Sequence, residues 1–164
     1  MNKMLKSILA SCLLFVSLSA TATEATAPTL FDRLGGEAGV TQIVADTFAN
    51  HKANPIVQNR FAYSDPTYVK QRVYEIFAMA TGSTHVKYDG DLAAIHSNMN
   101  ISEMEFNAVV DDVLSALATN NVAQQEQNEV LAILWGARPA IVNMNVTTQT
   151  LTAPAAPAEA AHAH

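Results

Sequence analysis

The chain has 164 residues, of which 49% are hydrophobic and 15% are charged, and this length and composition suit one globular domain. Nine Lys and Arg residues stand against 15 Asp and Glu residues, and a net charge of −6 without a basic stripe argues against nucleic-acid binding. The single cysteine, Cys12, excludes an internal disulfide and a metal site built from several thiolates.

The first residues have the layout of a secretory signal peptide. A basic start, MNKMLK, precedes the apolar run SILASCLLFVSL and the small-residue stretch SATATEATA. The apolar run is too short to anchor the protein in a bilayer, and Ala20-Thr21-Ala22 provides an A-x-A cleavage pattern. We therefore expect residues 1–22 to be removed, residues 23–28 to form a short extension, and the mature protein to be exported to the periplasm without stable membrane insertion.

A rival interpretation places a lipid on Cys12. The four residues Leu9-Ala10-Ser11-Cys12 match a bacterial lipoprotein cleavage box. However, few apolar residues precede Cys12 and the hydrophobic run continues beyond it, which reverses the order that such a signal requires. Ordinary secretion, which would remove this cysteine, is the favoured interpretation.

The other end of the chain has the composition of a disordered tail. Residues 145–164 are rich in Ala, Pro and Thr and show no hydrophobic periodicity. His162 and His164 lie in this segment, but two histidines on a flexible end make only a weak metal site, so a solvated end is favoured. Residues 29–144 remain as the folded domain.

The first part of this domain is helical in pattern. After Gly35-Gly36, the stretch EAGVTQIVADTFANHKAN predicts a helix that ends before Pro55. A second helix is predicted to begin with Asp65 as N-cap and Pro66 in its first turn, and to end at Gly82. Its apolar stripe contains Val69, Val73, Ile76, Phe77 and Ala80.

Two more helices are predicted in the second part. Ser102 and Glu105 form a capping box at the start of ISEMEFNAVVDDVLSALATNN. The stretch VAQQEQNEVLAILWGARPAIV predicts the last helix, bent or broken near Pro139. Because no segment alternates like a strand, the sequence predicts an all-α fold. The apolar faces contain Phe106, Val109, Val110, Val113, Leu114 and Leu117 in the first of these helices and Val130, Leu131, Leu134 and Trp135 in the second.

One histidine stands in a short helical segment between these pairs of helices. Of the five histidines, only His51, His85 and His96 lie in the folded domain. His96 belongs to the segment DLAAIHSN, where Leu92 and Ile95 are its apolar neighbours. The pattern alone favours an ordinary packed histidine over a metal ligand.

The chain nevertheless resembles the group 1 truncated haemoglobins along most of this domain. LFDRLGGEAGVTQIVADTF is similar to the opening of that family, with its Gly-Gly between the first two helices. YVKQRVYEIFAMATGS followed by KYDG is similar to the E helix and the second glycine motif. AAIHSNMNISEMEFNAVVDDVLSAL resembles the short F segment, the haem-binding histidine and the G helix.

The resemblance implies a truncated globin fold, a two-over-two helical sandwich around haem b. It makes His96 the proximal iron ligand, a role that neutral imidazole fills well and that leaves the opposite position open for a gas. It also puts Phe61 in the place of the phenylalanine that stacks on the haem. Arg72, Lys70 and Tyr68 fall where a propionate could be met, although a solvated helix face explains each of them equally.

The haem is a large apolar plate, so the resemblance implies apolar walls. For each implied lining residue, an ordinary place in the core is an equally good interpretation. The residues are Val69, Ile76, Phe77, Leu92, Ile95, Ile101, Phe106, Val109, Leu131 and Leu134.

The gas pocket departs from the family pattern. The position of the usual B-helix tyrosine falls on Phe48, and the polar E-helix positions fall on Val69 and Val73. Losing hydrogen bonds to bound O₂ costs about 1.5–3 kcal/mol, so we expect weaker O₂ binding and easier autoxidation. If the side chain of Gln71 or Arg72 turned into the pocket, it would restore a hydrogen-bond donor to bound O₂.

Several functions remain open at this level. The leading hypothesis is reversible binding of O₂, NO or CO at ferrous iron, for transport, scavenging or sensing. NO dioxygenation or peroxidase-like chemistry would make the protein an enzyme and would need an unidentified reductant. A second axial ligand, His51 or His85, would make it an electron-transfer protein. A helical interaction module without a cofactor is the last alternative.

Overall fold

A computed structural model describes residues 27–144, and every regular element in that range is helical. The predicted all-α class is therefore confirmed. The expected signal peptide, Cys12 and the expected tail with His162 and His164 lie outside the described residues. The helices are α1 (Leu30–Arg33), α2 (Gly36–Ala53), a one-turn 3-10 helix (Gln58–Phe61), α3 (Pro66–Ala80), α4 (Leu92–His96), α5 (Glu103–Thr119) and α6 (Gln124–Ile141).

A glycine-rich turn joins α1 to α2. Gly35 has a φ of 91°, a left-handed conformation that favours glycine, and it directly precedes the first residue of α2. One turn later, a Cβ added at Gly39 would lie 2.0 Å from the Leu34 carbonyl oxygen. The turn is therefore tight because neither position carries a side chain.

The predicted helix caps form as expected. The Asp65 carboxylate accepts from the backbone N–H of Thr67 at 2.9 Å, ahead of Pro66 in the first turn of α3. At the start of α5, the Glu105 N–H donates to Ser102 Oγ at 3.2 Å while the Ser102 N–H donates to Glu105 Oε2 at 3.0 Å. Both helix starts are thus fixed by local sequence.

The last helix is not broken at Pro139, so that part of the prediction is wrong. Helix α6 runs through Pro139 and ends two residues later, at Ile141. Proline removes one N–H from the helical hydrogen-bond ladder, and because Pro139 lies in the final turn, little of the helix remains to be disrupted. The Val142 N–H still closes the helix by donating to the Arg138 carbonyl at 2.9 Å.

The helices pack as two pairs. Helix α2 packs on α3, helix α5 packs on α6, and the two pairs meet where α2 crosses α5; the short α4 lies against α6. The main buried apolar cluster comes from α1, α2, α5 and α6 and contains Leu30, Leu34, Val40, Ile43, Val44, Val113, Leu117 and Val130. Helix α3 adds only the partly buried Tyr74 and Phe77 to the edge of that cluster, and α4 adds no residue to it. None of the helices within residues 27–144 has the length and apolar character needed to cross a membrane.

Candidate functional site

Helix α4 presents His96 at its last residue. The helix begins at Asp91, whose carboxylate accepts from the N–H groups of Ala93 at 2.9 Å and Ala94 at 3.1 Å. His96 is half-buried, and its Nδ1 lies 2.7 Å from the Leu92 carbonyl oxygen. A carbonyl only accepts, so Nδ1 carries the proton and the lone pair of the neutral ring sits on Nε2. This is the arrangement in which a backbone carbonyl orients a metal-binding histidine.

Apolar side chains on α3, α4 and α6 are incompletely covered by protein. On α3, Val73 is 39% exposed, and on α4, Ile95 is 52% exposed. On α6, Trp135 is 47% exposed, and its ring meets the buried Phe106 edge-on with centroids 5.5 Å apart. Apolar surface of this kind marks a site for an apolar ligand or partner. The other implied lining residues are all half-buried: Val69, Ile76, Phe77, Leu92, Ile101, Val109, Leu131 and Leu134.

Phe48 and Phe61 form an aromatic contact between α2 and the 3-10 helix. Their ring centroids are 5.8 Å apart with planes at 80°, an edge-to-face arrangement, and both side chains are half-buried. The structure thus brings together two aromatic residues for which the family resemblance implies separate roles.

His51 supports this aromatic contact from the core. Its ring stacks on Phe61 with centroids 4.9 Å apart and planes at 13°. Its Nδ1 lies 2.7 Å from Asp112 Oδ2 on α5, and the Asn54 amide donates to Asp112 Oδ1 at 3.0 Å. Only 8% of His51 is exposed. Serving as a second iron ligand would therefore require His51 to leave a buried hydrogen-bond network. Sequence reasoning missed this network because Asp111 and Asp112 look like an ordinary solvated pair.

Burial lowers the pKa of His51 below its ordinary value of 6.5, and the hydrogen bond to Asp112 opposes this shift only partly. The unfolded chain then takes up a proton before the folded one does, so we expect the free energy of unfolding to fall as the pH drops below about 6.5. His51→Gln, which cannot titrate, should flatten this dependence. Urea unfolding between about pH 7 and pH 5 measures it. His85→Gln, in an exposed loop, is the matched control and should keep the original slope; an unchanged slope in His51→Gln would contradict the assignment.

The polar side chains of Gln71 and Arg72 on α3 are held by neighbouring side chains. The Arg72 guanidinium donates to Glu75 at 2.5 Å, lies 3.5 Å from Asp89, and sits 4.5 Å from the centre of the Tyr88 ring. The Gln71 amide donates to Glu75 at 2.9 Å. Both side chains that would restore a donor by swinging inward are thus engaged with Glu75. Of the other candidates for meeting a propionate, Tyr68 is exposed and Lys70 is half-buried.

The third domain histidine, His85, lies in an exposed loop after α3, where its backbone N–H lies 3.4 Å from Ser83 Oγ. Across residues 27–144, no three His, Cys, Asp or Glu side chains cluster in a way that could hold a metal ion by themselves.

Comparison with known proteins identifies the fold. A family model described as "Bacterial-like globin" matches residues 29–143. The chain belongs to the bacterial-like globin family. The group 1 truncated hemoglobin of Tetrahymena thermophila is 22% identical to this globin over 111 residues, which cover 68% of the chain and 92% of that relative.

Solved truncated hemoglobins share the helical arrangement. The truncated hemoglobin from Tetrahymena pyriformis, in its Fe(III) form, has a TM-score of 0.67 at 19% identity, covering 71% of this globin and 99% of that protein. The 2/2 hemoglobin of Synechococcus sp. PCC 7002, solved in the cyanomet state with covalently attached heme, has a TM-score of 0.66 at 24% identity, again covering 71% of this globin and 99% of that chain. The predicted two-over-two globin fold is confirmed, with α2 and α3 facing α5 and α6.

The residues present in this globin fit the haem that its family membership implies. His96 offers one imidazole nitrogen whose partner nitrogen is already oriented by the Leu92 carbonyl. The incompletely covered side chains of α3, α4 and α6 supply the apolar character that the walls around a flat apolar ring system need. The imidazole donor and the apolar side chains therefore both match what a haem requires.

Proposed function

We propose that this globin holds haem b through Nε2 of His96 and binds a diatomic gas, O₂, NO or CO, reversibly on the opposite face. The observation that supports the proposal most is the 2.7 Å contact from His96 Nδ1 to the Leu92 carbonyl. It puts the proton on Nδ1 and leaves the lone pair on Nε2, which is the tautomer that binds iron through Nε2. The signal-like residues 1–22 support a second proposal, that the protein works in the periplasm.

When bound, haem supplies an iron atom with one coordination position left open for a gas. The chain's own residues determine how that position behaves. Phe61 would pack against the ring system, and the stacking of His51 on Phe61 would limit the movement of that side chain. The side chains of Phe48, Val69 and Val73 contain no hydrogen-bond donor.

An apolar pocket of this kind favours gases that need no hydrogen bond. Bound O₂ accumulates negative charge and gains about 1.5–3 kcal/mol from a donor, whereas CO gains much less. We therefore propose that O₂ leaves this globin faster than it leaves relatives that have a tyrosine at the position of Phe48. Gln71 and Arg72 would have to break their contacts with Glu75 to provide a donor.

The test is haemin titration of the full chain followed by gas kinetics. We expect a saturable Soret band at one haem per chain and, after reduction, formation of a CO complex. Stopped-flow mixing of the oxygenated protein with CO should show rapid O₂ release. Slow O₂ release would contradict the apolar pocket, and fast catalytic conversion of NO to nitrate in the presence of a reductant would favour the dioxygenase alternative. Failure to saturate at one haem per chain would overturn the whole proposal.

A further inference from the structure

The loop that follows His96 is held by three other parts of the fold. Residues 97–102 connect α4 to α5 and include Asn100, whose φ of 48° is unusual for a residue other than glycine. The Met99 N–H donates to the His96 carbonyl at 3.0 Å, so the backbone turns directly after the histidine. Such a turn is stable only where its surroundings fix it.

Arg60, the neighbour of Phe61 on the 3-10 helix, provides one of these restraints. Its Nη1 donates to the Met99 carbonyl at 2.6 Å and its Nη2 to the Asn100 carbonyl at 3.2 Å. Its Nε donates to Glu105 Oε1 at 2.7 Å. One guanidinium thus ties the loop behind His96 to the first turn of α5 and to the 3-10 helix that carries Phe61.

The ion pair between Arg60 and Glu105 persists at neutral and mildly acidic pH. The hydrogen bond from Arg60 is the main cause that lowers the pKa of Glu105 to about 2, with the Ser102 contacts adding to it. The Glu105 side chain is only 16% exposed, against 33% for Arg60. Glu105 therefore stays ionised and holds the guanidinium in place at neutral and mildly acidic pH.

Asn143, just beyond α6, provides a second restraint on the same loop. Its amide donates to the His96 carbonyl, and its Oδ1 accepts from the Ile101 N–H at 2.7 Å. The backbone N–H groups of Asn143 and Met144 both donate to the Ile101 carbonyl at 3.1 Å. The backbone carbonyl of His96 is therefore hydrogen-bonded directly to the segment that follows α6.

We propose that Arg60 and Asn143 are positioning residues that set the orientation of His96 toward haem iron. This inference rests on the proposed function, in which His96 is the iron ligand. Loosening the loop would let the end of α4 move and weaken the contact from His96 Nδ1 to the Leu92 carbonyl, which orients the imidazole ring. The bond from His96 to iron would then weaken and haem would leave faster.

Arg60→Met tests the proposal because it keeps an apolar stem but removes all three donors. Arg33→Met is the matched control: Arg33 also uses three nitrogen atoms as donors, to Glu126, Glu129 and the Pro28 carbonyl, but none of these hydrogen bonds reaches the loop. We expect haem transfer to an excess acceptor apoprotein to be about three- to tenfold faster in Arg60→Met, because the effect on His96 is indirect and corresponds to the net loss of about one ordinary hydrogen bond. Arg33→Met should stay within about twofold of the unmodified protein.

A spectroscopic readout separates positioning from general stability. Resonance Raman spectra of the ferrous, gas-free protein should show the iron–imidazole stretching band at lower frequency in Arg60→Met and in Asn143→Ala, but unchanged in Arg33→Met. Arg60→Lys, which keeps the charge and part of the donor set, should fall between Arg60→Met and the unmodified protein.

Two results would overturn the inference, and neither coincides with failure of the proposed function. Arg60→Met and Asn143→Ala could leave the band unchanged, or they could leave the haem-loss rate equal to that of Arg33→Met; in either case the loop contacts are merely structural. If the unmodified protein takes up no haem, or shows the same band after His96 is removed, the proposed function itself fails.

Discussion

His96→Gly is expected to lower the affinity of the protein for haem more than about a hundredfold, since loss of a partner that only orients a metal ligand already costs about ten- to a hundredfold. The substitution removes the imidazole at the end of α4 but leaves Asp91 to cap the helix, so the fold should survive. Haemin titration measures the affinity. Free imidazole added to the variant should restore the absorption spectrum, because it can occupy the vacated place at the iron.

His85→Gly is the control for this experiment, because His85 lies in an exposed loop after α3. Its haem affinity should stay within about threefold of the unmodified protein, as is typical of surface substitutions. The assignment of His96 would be contradicted if both glycine variants bound haem equally well, or if imidazole left the spectrum of His96→Gly unchanged.

Phe48→Tyr should slow O₂ release by about tenfold to a hundredfold, because it adds one hydroxyl donor to a pocket whose other implied side chains are apolar. Phe48 is half-buried and contacts Phe61 edge-on, so a hydroxyl at the tip of the ring is a small steric change. Stopped-flow replacement of O₂ by CO gives the rate. CO release itself should change far less, since bound CO gains little from a hydrogen bond.

Phe48→Leu separates the hydroxyl from the change in ring packing. It removes the edge contact with Phe61 and adds no donor, so O₂ release should stay as fast as in the unmodified protein or become faster. If Phe48→Tyr bound haem normally and released O₂ at the unmodified rate, Phe48 would not line the gas pocket.

Local sequence is sufficient to predict the four long helices and the short helical segment that carries His96, but not the 3-10 helix at Gln58–Phe61. The Asp65 cap and the Ser102–Glu105 capping box depend on residues within one turn, and each forms as predicted. The prediction of a break at Pro139 is wrong because the effect of a proline depends on how much helix follows it, and only two residues do.

The family resemblance implies the lining candidates, and their apolar periodicity does not show what covers them. Phe106 and Ile95 are both apolar residues near His96 in the sequence, yet Phe106 is 3% exposed and Ile95 is 52% exposed. The difference arises because α5 packs within the helical sandwich while α4 rests mainly on α6. A stripe of apolar residues looks the same whether it faces a helix or a ligand.

The polar contacts that hold the site together could not be predicted from sequence. His51 pairs with Asp112, 61 residues away, and Arg60 reaches Glu105 across 45 residues. Asn143 meets His96 across 47 residues. Each of these residues has an ordinary local pattern, and only the packing of the helix pairs makes them neighbours.

The central claim is that His96 is the single protein ligand of the iron. The absorption spectrum of the reduced protein, recorded under nitrogen and then under CO, tests this claim most directly. We predict a broad, high-spin spectrum without gas and a sharp Soret band once CO is added. A sharp low-spin spectrum before any gas is present would mean that a second side chain occupies the iron, and the absence of any Soret band would mean that this globin holds no haem.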